Sequence, residues 1–198
     1  MIVCNKLSLS FDRIPVFRDL SFEIYKGEFV TVNAASGKGK TSLLKILQGY
    51  VLPASGTVLI NGVELGEHTI NKIREQIIWI PQNVNLPVDC GMELIEMLNL
   101  KSNINSIKQV LDKLGLDSDF LSKSFKKISG GQKQRVVVAI CLGINRPLVL
   151  MDEPTSSLDE ESIKMLLDVV KSTGDKTFFT ASHNKTWMEH SDRIIELG

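Results

Sequence analysis

The sequence has few cysteines, no long apolar run and no recognisable export signal. Its three cysteines, Cys4, Cys90 and Cys141, lie far apart and outside metal-binding spacings, which argues against a disulfide framework or a zinc site. No apolar stretch approaches the roughly 20 residues that a membrane helix needs. Residues 1–6 lack the basic start and the apolar core of a signal peptide. These absences predict a soluble, intracellular protein.

The sequence also lacks an excess of charge of either sign. It contains 23 lysines plus arginines and 23 aspartates plus glutamates among 198 residues. A chain without net charge has no general affinity for polyanions, so nucleic acid is not expected as a partner. The length suits one domain with a hydrophobic core.

Short apolar segments alternate with turns in the first part of the chain. Period-two patterns at 7–9 and 20–24 predict half-buried strands, and the apolar run at 29–32 predicts a strand buried on both faces. Asn61-Gly62 between two apolar segments predicts a hairpin, because this pair supplies the positive φ angles of a two-residue turn. Another buried strand is predicted at 77–80.

A helix is predicted after the strand at 29–32, because Leu43, Leu47 and Tyr50 recur at helical spacing. We expect Pro53 to end it. Further along, residues from about 84 to 139 carry mainly helical patterns. The predicted helices lie at 93–100, at 104–114 and after Ser129.

Aliphatic strand patterns return near the carboxyl terminus, at 148–151, 177–180 and 193–195, with a helix at about 160–172. Strand, helix and strand at this spacing imply right-handed crossovers and a parallel sheet. The sequence therefore predicts a single α/β domain over 1–198. Its core would comprise about 1–83 and 140–198, with a helical insertion at about 84–139.

Residues 34–41 read Ala-Ala-Ser-Gly-Lys-Gly-Lys-Thr, between the predicted strand and helix. Such a loop lets backbone N–H groups surround phosphates at a helix N-terminus, while a lysine neutralises charge and a hydroxyl holds Mg²⁺. Ala34 and Lys38 depart from the Walker A pattern, which has glycine and usually a small residue there. If position 34 needs a positive φ, alanine costs on the order of 1 kcal/mol. A strand-loop-helix without a ligand is the alternative interpretation.

Two acids, Asp152 and Glu153, directly follow the apolar run at 148–151. Acids at the carboxyl end of a parallel strand lie where ligands bind in such sheets. We expect Asp152 to reach Mg²⁺ opposite Thr41, and Glu153 to polarise an attacking water. A solvated acidic turn is the alternative.

The segment Ile128–Gln132, Ile-Ser-Gly-Gly-Gln, lies between the glycine-rich loop and the acidic pair. This order and spacing resemble the nucleotide-binding subunit of ATP-binding cassette (ABC) transporters, over about residues 11–183. The resemblance implies a P-loop NTPase core with a mostly parallel sheet, an N-terminal antiparallel β subdomain and an inserted helical subdomain. It also implies an ATPase with ATP and Mg²⁺ as cofactors.

The same resemblance assigns site residues. Gln82 occupies the family's Q-loop position, His183 that of its switch histidine, and Phe11 that of the aromatic residue that stacks on adenine. In the D-loop, 155–159, Ser157 replaces a commoner alanine. The implied catalytic residues are Glu153, His183 and Gln82. The implied metal-binding residues are Thr41, Gln82 and Asp152. The implied nucleotide-binding residues are Phe11, Ala34, Ala35, Ser36, Gly37, Lys38, Gly39, Lys40, Thr41, Ser42, Ser129, Gly130, Gly131 and Gln132. Purely structural roles for Gln82, His183 and Phe11 are the alternative.

Residues 128–132, the signature segment, imply a dimer. A serine and free N–H groups at a helix start form an anion site, which the resemblance places against the ATP of a second subunit. Two such sites make a head-to-tail pair with two-fold symmetry, formed by two copies or with a paralogous subunit.

The resemblance also implies separate transmembrane permease subunits, received on the cytoplasmic face of the membrane by the helical insertion and the Gln82 loop. Because only a short segment follows His183, no carboxy-terminal regulatory domain is expected. Two other hypotheses stay open. One is a soluble cassette ATPase of translation, repair or cluster assembly, although no second cassette, coiled-coil insertion or extra domain is visible. The other is a nucleotide-binding regulator without turnover, which Ala34 keeps open.

Overall fold

The strands form two sheets that differ in strand direction. The computed structural model describes residues 1–197. The strands are β1 (Ile2–Phe11), β2 (Ile14–Ile24), β3 (Phe29–Asn33), β4 (Ser55–Ile60), β5 (Val63–Glu64), β6 (Ile77–Ile80), β7 (Leu148–Asp152), β8 (Thr177–Ala181) and β9 (Arg193–Glu196). The helices are α1 (Lys40–Leu47), α2 (Ile70–Arg74), α3 (Gly91–Met97), α4 (Ile104–Lys113), α5 (Gly130–Leu142), α6 (Glu160–Ser172) and α7 (Lys185–Glu189), with short 3₁₀ turns at Lys101–Asn103 and Ser118–Leu121.

The larger sheet has five parallel strands in the order β6-β7-β8-β3-β9. Every residue of β7 and β8 is buried, which explains their unbroken apolar runs, since a parallel sheet is covered on both faces. Asp152 pairs with Ala181, and Val32 pairs with the same alanine from the other side. The three strand ends therefore lie at one height along one edge, and the predicted parallel sheet is confirmed.

The smaller sheet is antiparallel, in the order β2-β1-β4-β5. Its β4–β5 turn is the predicted hairpin: Asn61 and Gly62 have φ angles of 51° and 75°. Two consecutive positive φ angles are what a type I′ turn requires. This sheet packs its apolar face with α1 and the inner strands into one core that includes Ile2, Leu44 and Ile60.

Between β6 and β7 the described chain has helices and no strand. Helices α3, α4 and α5 pack around a second core that includes Leu94, Leu111 and Val137. The prediction of helices in this stretch is confirmed, although they begin or end up to three residues from the expected positions. None of the helices within residues 1–197 is long and apolar enough to cross a bilayer.

The expected end of α1 was wrong. The helix ends at Leu47 because Gly49 adopts a left-handed φ of 67°. Gly49 N–H donates to Ile46 O and Tyr50 N–H donates to Lys45 O, the paired bonds of a Schellman cap. Tyr50 therefore leaves the helix and is exposed. Pro53 lies beyond this cap and does not end the helix.

Two glycines of the antiparallel sheet offer a matched test of backbone packing. Gly56 and Gly62 both have positive φ angles, but only at Gly56 would a Cβ atom lie 2.5 Å from a backbone oxygen, that of Lys6. At Gly62 the space is open. We expect Gly62→Ala to cost about 1 kcal/mol of unfolding free energy from strain alone. Gly56→Ala should cost about 3 kcal/mol or more, because strain and overpacking add. Equal denaturant midpoints for the two variants would contradict this account.

Candidate nucleotide-binding site

The carboxyl ends of four parallel strands converge on one cavity of about 610 Å³. The loop 34–39 follows β3, Gln82 lies just after β6, Glu153 follows β7 and His183 lies just after β8. Lining residues are Phe11, Val16, Ala34, Ala35, Ser36, Gly37, Lys38, Gly39, Lys40, Thr41, Ser42, Gln82, Glu153 and His183. The sheet therefore brings together all the residues predicted for one half-site except Asp152, which lies buried beside it, and adds Val16, which the sequence did not single out.

The loop at 34–39 wraps the inner end of the cavity. Gly37 and Gly39 adopt φ angles of 78° and 94°, so these two positions carry the conformational demand of the loop. Ala34 is not among the residues of the described chain with positive φ. It is buried at the end of β3, packed in the same core as Val32 and Leu43. Position 34 does not need a positive φ angle, so alanine causes no backbone strain there.

Lys40 begins α1 and turns its ammonium group back over the loop. Its Nζ donates to Ala34 O at 2.7 Å and lies 3.7 Å from Glu153 Oε1. Both side chains of this ion pair are about nine-tenths buried. A lysine held there neutralises negative charge at the inner end of the cavity.

Glu153 is held in an unusual backbone conformation, with φ of 46°. Its N–H donates to Ala181 O at 2.8 Å, which continues the pairing of β7 with β8. One carboxylate oxygen, Oε1, lies 2.9 Å from His183 Nδ1. The other, Oε2, is buried without a hydrogen-bond partner among the described residues. A buried carboxylate with a free oxygen can accept a proton from a water in the cavity.

His183 differs from Glu153 in exposure. Its side chain is 73% exposed, against 10% for Glu153. The imidazole therefore reaches the mouth of the cavity while one ring nitrogen stays against Glu153, and the other nitrogen is free to face a ligand. Sequence patterns contain no signal for this pairing, because the two residues follow different strands and lie 30 residues apart.

Asp152 is buried to 4% exposure at the last position of β7. This burial raises the pKa of its carboxyl above the ordinary value, while a hydrogen bond from Thr41 acts in the opposite direction. Asp152 Oδ1 has no partner among the described residues. An unpaired carboxylate oxygen beside a threonine hydroxyl fits Mg²⁺, which prefers oxygen ligands. No group of three or more His, Cys, Asp or Glu side chains in the described chain could hold a metal unaided. The remaining ligands would therefore include phosphate and water oxygens.

The signature segment lies at the start of α5 and does not line this cavity. Ser129 is the N-cap: its Oγ accepts from Gln132 N–H at 3.1 Å, and Gln132 Oε1 accepts from Ser129 N–H at 2.9 Å. This is a capping box, and its Ser-x-x-Gln pattern is a local sequence signal for the start of the helix. Beside it, Gly130 faces open space, whereas a Cβ on Gly131 would lie 2.7 Å from Ser157 O.

Comparison with known proteins places these features in a family. Residues 17–156 match the profile described as ABC transporter. The chain is 34% identical to the putative hemin import ATP-binding protein HrtA of Staphylococcus aureus, over 92% of this chain and 88% of that protein. It is 28% identical to the energy-coupling factor transporter ATP-binding protein EcfA1 of Mycoplasma pneumoniae, over 95% and 72%.

A solved structure with a similar fold is the dimeric bacterial ABC transporter cassette MJ0796, with a TM-score of 0.88 and 26% identity. The match covers 100% of this chain and 94% of that one. A post-hydrolysis state of the same cassette, bound to ADP and Pi, matches with a TM-score of 0.87. These similarities favour a transporter ATPase over the soluble ATPase and the regulator without turnover. The chain belongs to the ABC transporter family, as an ATP-binding subunit with ATPase activity.

Proposed function

We propose that two copies of this chain bind MgATP head to tail and hydrolyse it to drive a separate membrane permease. One observation carries the proposal. The start of α5 presents an open helix N-terminus at Ser129 and Gly130, yet this surface does not line the nucleotide cavity of its own chain. A second copy related by two-fold symmetry would bring that N-terminus against the cavity. The dimeric cassette structures of a relative support the arrangement.

Within one chain, different cavity residues would bind different parts of the nucleotide. Phe11, half exposed at the outer rim, is our candidate for stacking on adenine. The loop 34–39 and the first turn of α1, including Ser42, would hold the phosphates through backbone N–H groups and Lys40. Lys38 lines the same cavity and has no ion-pair partner among the described residues, so it adds a second positive charge.

Thr41 and Asp152 would hold the Mg²⁺ ion, with Gln82 as a further oxygen ligand that can leave. Gln82 is exposed and lines the cavity, and its neutral amide can approach or withdraw without changing the charge of the site. When bound, the ion supplies charge neutralisation of the phosphates. Support for this assignment is the unpaired Oδ1 of Asp152.

Hydrolysis would depend on Glu153 and His183. The buried carboxylate of Glu153 would orient the attacking water and accept its proton through Oε2. His183 would keep Oε1 occupied and face the terminal phosphate with its other ring nitrogen. Lys40 would exchange its contact with Ala34 O for a phosphate oxygen when nucleotide enters.

The permease would dock on the helical insertion, which we place at about 84–139 within a single domain. Gln82 lies on the connection between β6 and α3, so one segment touches both the nucleotide cavity and this unit. The exposed side chains of Met97 and Leu98, at the end of α3, give it an apolar surface. The chain would then lie on the cytoplasmic face of the membrane, as expected for a subunit of a transporter.

The first test concerns position 34. Because Ala34 does not adopt a positive φ, Ala34→Gly relieves no strain, and we expect no tighter binding of MgATP by calorimetry. The added backbone freedom should instead lower the unfolding free energy by roughly 0.5–1 kcal/mol. A clear gain in affinity would show that alanine does obstruct the loop.

The second test concerns the proton acceptor. Glu153→Gln keeps the size of the side chain and removes its basicity, so we expect ATP binding to persist while turnover falls to a small residual rate. The trapped complex should elute as a dimer in ATP and as a monomer without nucleotide. Hydrolysis at the wild-type rate would remove Glu153 from the mechanism.

The third test addresses the head-to-tail arrangement. Ser129→Asp preserves the helix cap but places a negative charge against the partner's phosphate. Lys40→Ala removes the lysine that holds the nucleotide within its own chain. Each variant should be inactive alone, whereas mixed dimers would contain one doubly damaged site and one intact site. Activity should therefore reappear on mixing.

A mixture that stays inactive would contradict the arrangement if a cysteine cross-link between positions 129 and 36 also formed only within one chain. A cross-link between chains would instead support the head-to-tail arrangement. The inactivity of the mixture would then mean that neither site turns over unless both are intact.

A further inference from the structure

Helix α5 is joined to the segment after Glu153 by a buried side-chain hydrogen bond. Gln134 Nε2 donates to Pro154 O at 2.6 Å. Gln134 is 3% exposed, Pro154 is buried, and the two lie 20 residues apart in the sequence. A short hydrogen bond shielded from water is costly to break, so it constrains both elements.

A second contact joins the same two elements one turn earlier in α5. At Gly131 a Cβ atom would lie 2.7 Å from Ser157 O and 3.6 Å from a methyl group of Leu158. Helix α5 and the segment 154–158 are therefore joined at two points, by a close backbone approach at Gly131 and by the side chain of Gln134. Close-packed elements with two contacts shift together rather than separately.

This segment follows Glu153 directly and is bonded to its backbone, because Ser156 N–H donates to Glu153 O at 3.2 Å. Glu153 has a φ of 46°, a conformation that a non-glycine residue keeps only when its surroundings enforce it. On its amino side, the bond from Glu153 N–H to Ala181 O fixes it to the sheet. On its carboxyl side, the following residue is Pro154, whose carbonyl oxygen accepts a hydrogen bond from Gln134.

We propose that Gln134 is a positioning residue for the reaction, which links the signature surface at Ser129 to the carboxylate of Glu153 in the same chain. The proposal rests on the head-to-tail dimer described above. An anion bound at Ser129 belongs to the partner's nucleotide, and it fixes the start of α5. Gln134 then fixes the Pro154 carbonyl and, through it, the backbone of Glu153. Occupancy of one site thereby sets the catalytic geometry of the other.

The test compares two glutamines that are equally buried. Gln48 donates to Leu44 O at 3.0 Å within α1 and is also 3% exposed. Gln134→Met and Gln48→Met each remove a buried amide that donates to a carbonyl, and keep the side-chain length. We expect kcat to fall about 10- to 100-fold for Gln134→Met, because a small misplacement of a reacting group has an effect of this order. ATP affinity, measured by calorimetry, should stay near wild type, and the cooperative dependence of the rate on ATP should be lost.

Gln48→Met should retain both the kcat and the cooperativity of the wild type. A second comparison separates positioning from general damage. In a Glu153→Gln background, Gln134→Met should cause no further loss of residual hydrolysis, because its effect passes through Glu153. Equal kcat values for the two methionine variants, or an additive loss in the Glu153→Gln background, would overturn the proposal.

Two further measurements keep the result decisive. If Gln134→Met does not fold, Gln134→Leu also removes the donor to Pro154 O, with a smaller apolar side chain. The same loss of kcat is then expected, and a normal kcat would refute the role of Gln134. Dimer formation is tested separately, by whether the Glu153→Gln variant elutes as a dimer in the presence of ATP. If no dimer forms, the head-to-tail proposal fails and the transmission from Ser129 fails with it. The kcat comparison still decides the link between Gln134 and Glu153.

Discussion

The parallel pairing of β7, β8 and β3 is the constraint on which the rest of the structure depends. Because the strands run in one direction, their carboxyl ends meet at one edge, and the chain must leave each strand there. The loop at 34–39, the acidic pair at 152–153 and His183 therefore share one cavity although they lie far apart in the sequence. The antiparallel sheet adds Phe11 and Val16 to the cavity lining. The helical stretch carries the signature segment, which does not line the cavity.

Near the cavity, some buried polar atoms lack hydrogen-bond partners among the described residues. Asp152 Oδ1 and Glu153 Oε2 are buried and unpaired within residues 1–197, and Glu153 has a strained backbone. Unpaired buried oxygens reduce stability, so folded proteins retain few of them. Here Asp152 lies beside Thr41, and Glu153 lines the cavity that our proposal assigns to a metal, a water and phosphates. Unpaired oxygens of this kind fit a site whose ligands supply their partners.

Helix α5 connects the signature segment to the segment after Glu153. Ser129 caps the helix through Gln132, and Gln134 reaches the segment after Glu153. The capping box is a local pattern, visible in four residues. The bond from Gln134 to Pro154 depends on how α5 lies against β7, and no local pattern indicates it. Gly131 shows the same difference: its place in the signature suggests an anion site, while its closest constraint is the oxygen of Ser157.

The sequence by itself determined the parallel direction of the main strands, the helical stretch before β7 and the glycine-rich loop of the cavity, through local signals: apolar periodicity, an Asn-Gly turn and glycines before a helix. Phe11, Gln82 and His183 were assigned by the resemblance to the family, and Val16 was not predicted. Only the tertiary structure decided that α1 ends at Leu47, that Ala34 is unstrained and that Glu153 contacts Lys40 and His183. Those features depend on backbone dihedral angles and on packing between distant segments, which a one-dimensional pattern does not contain.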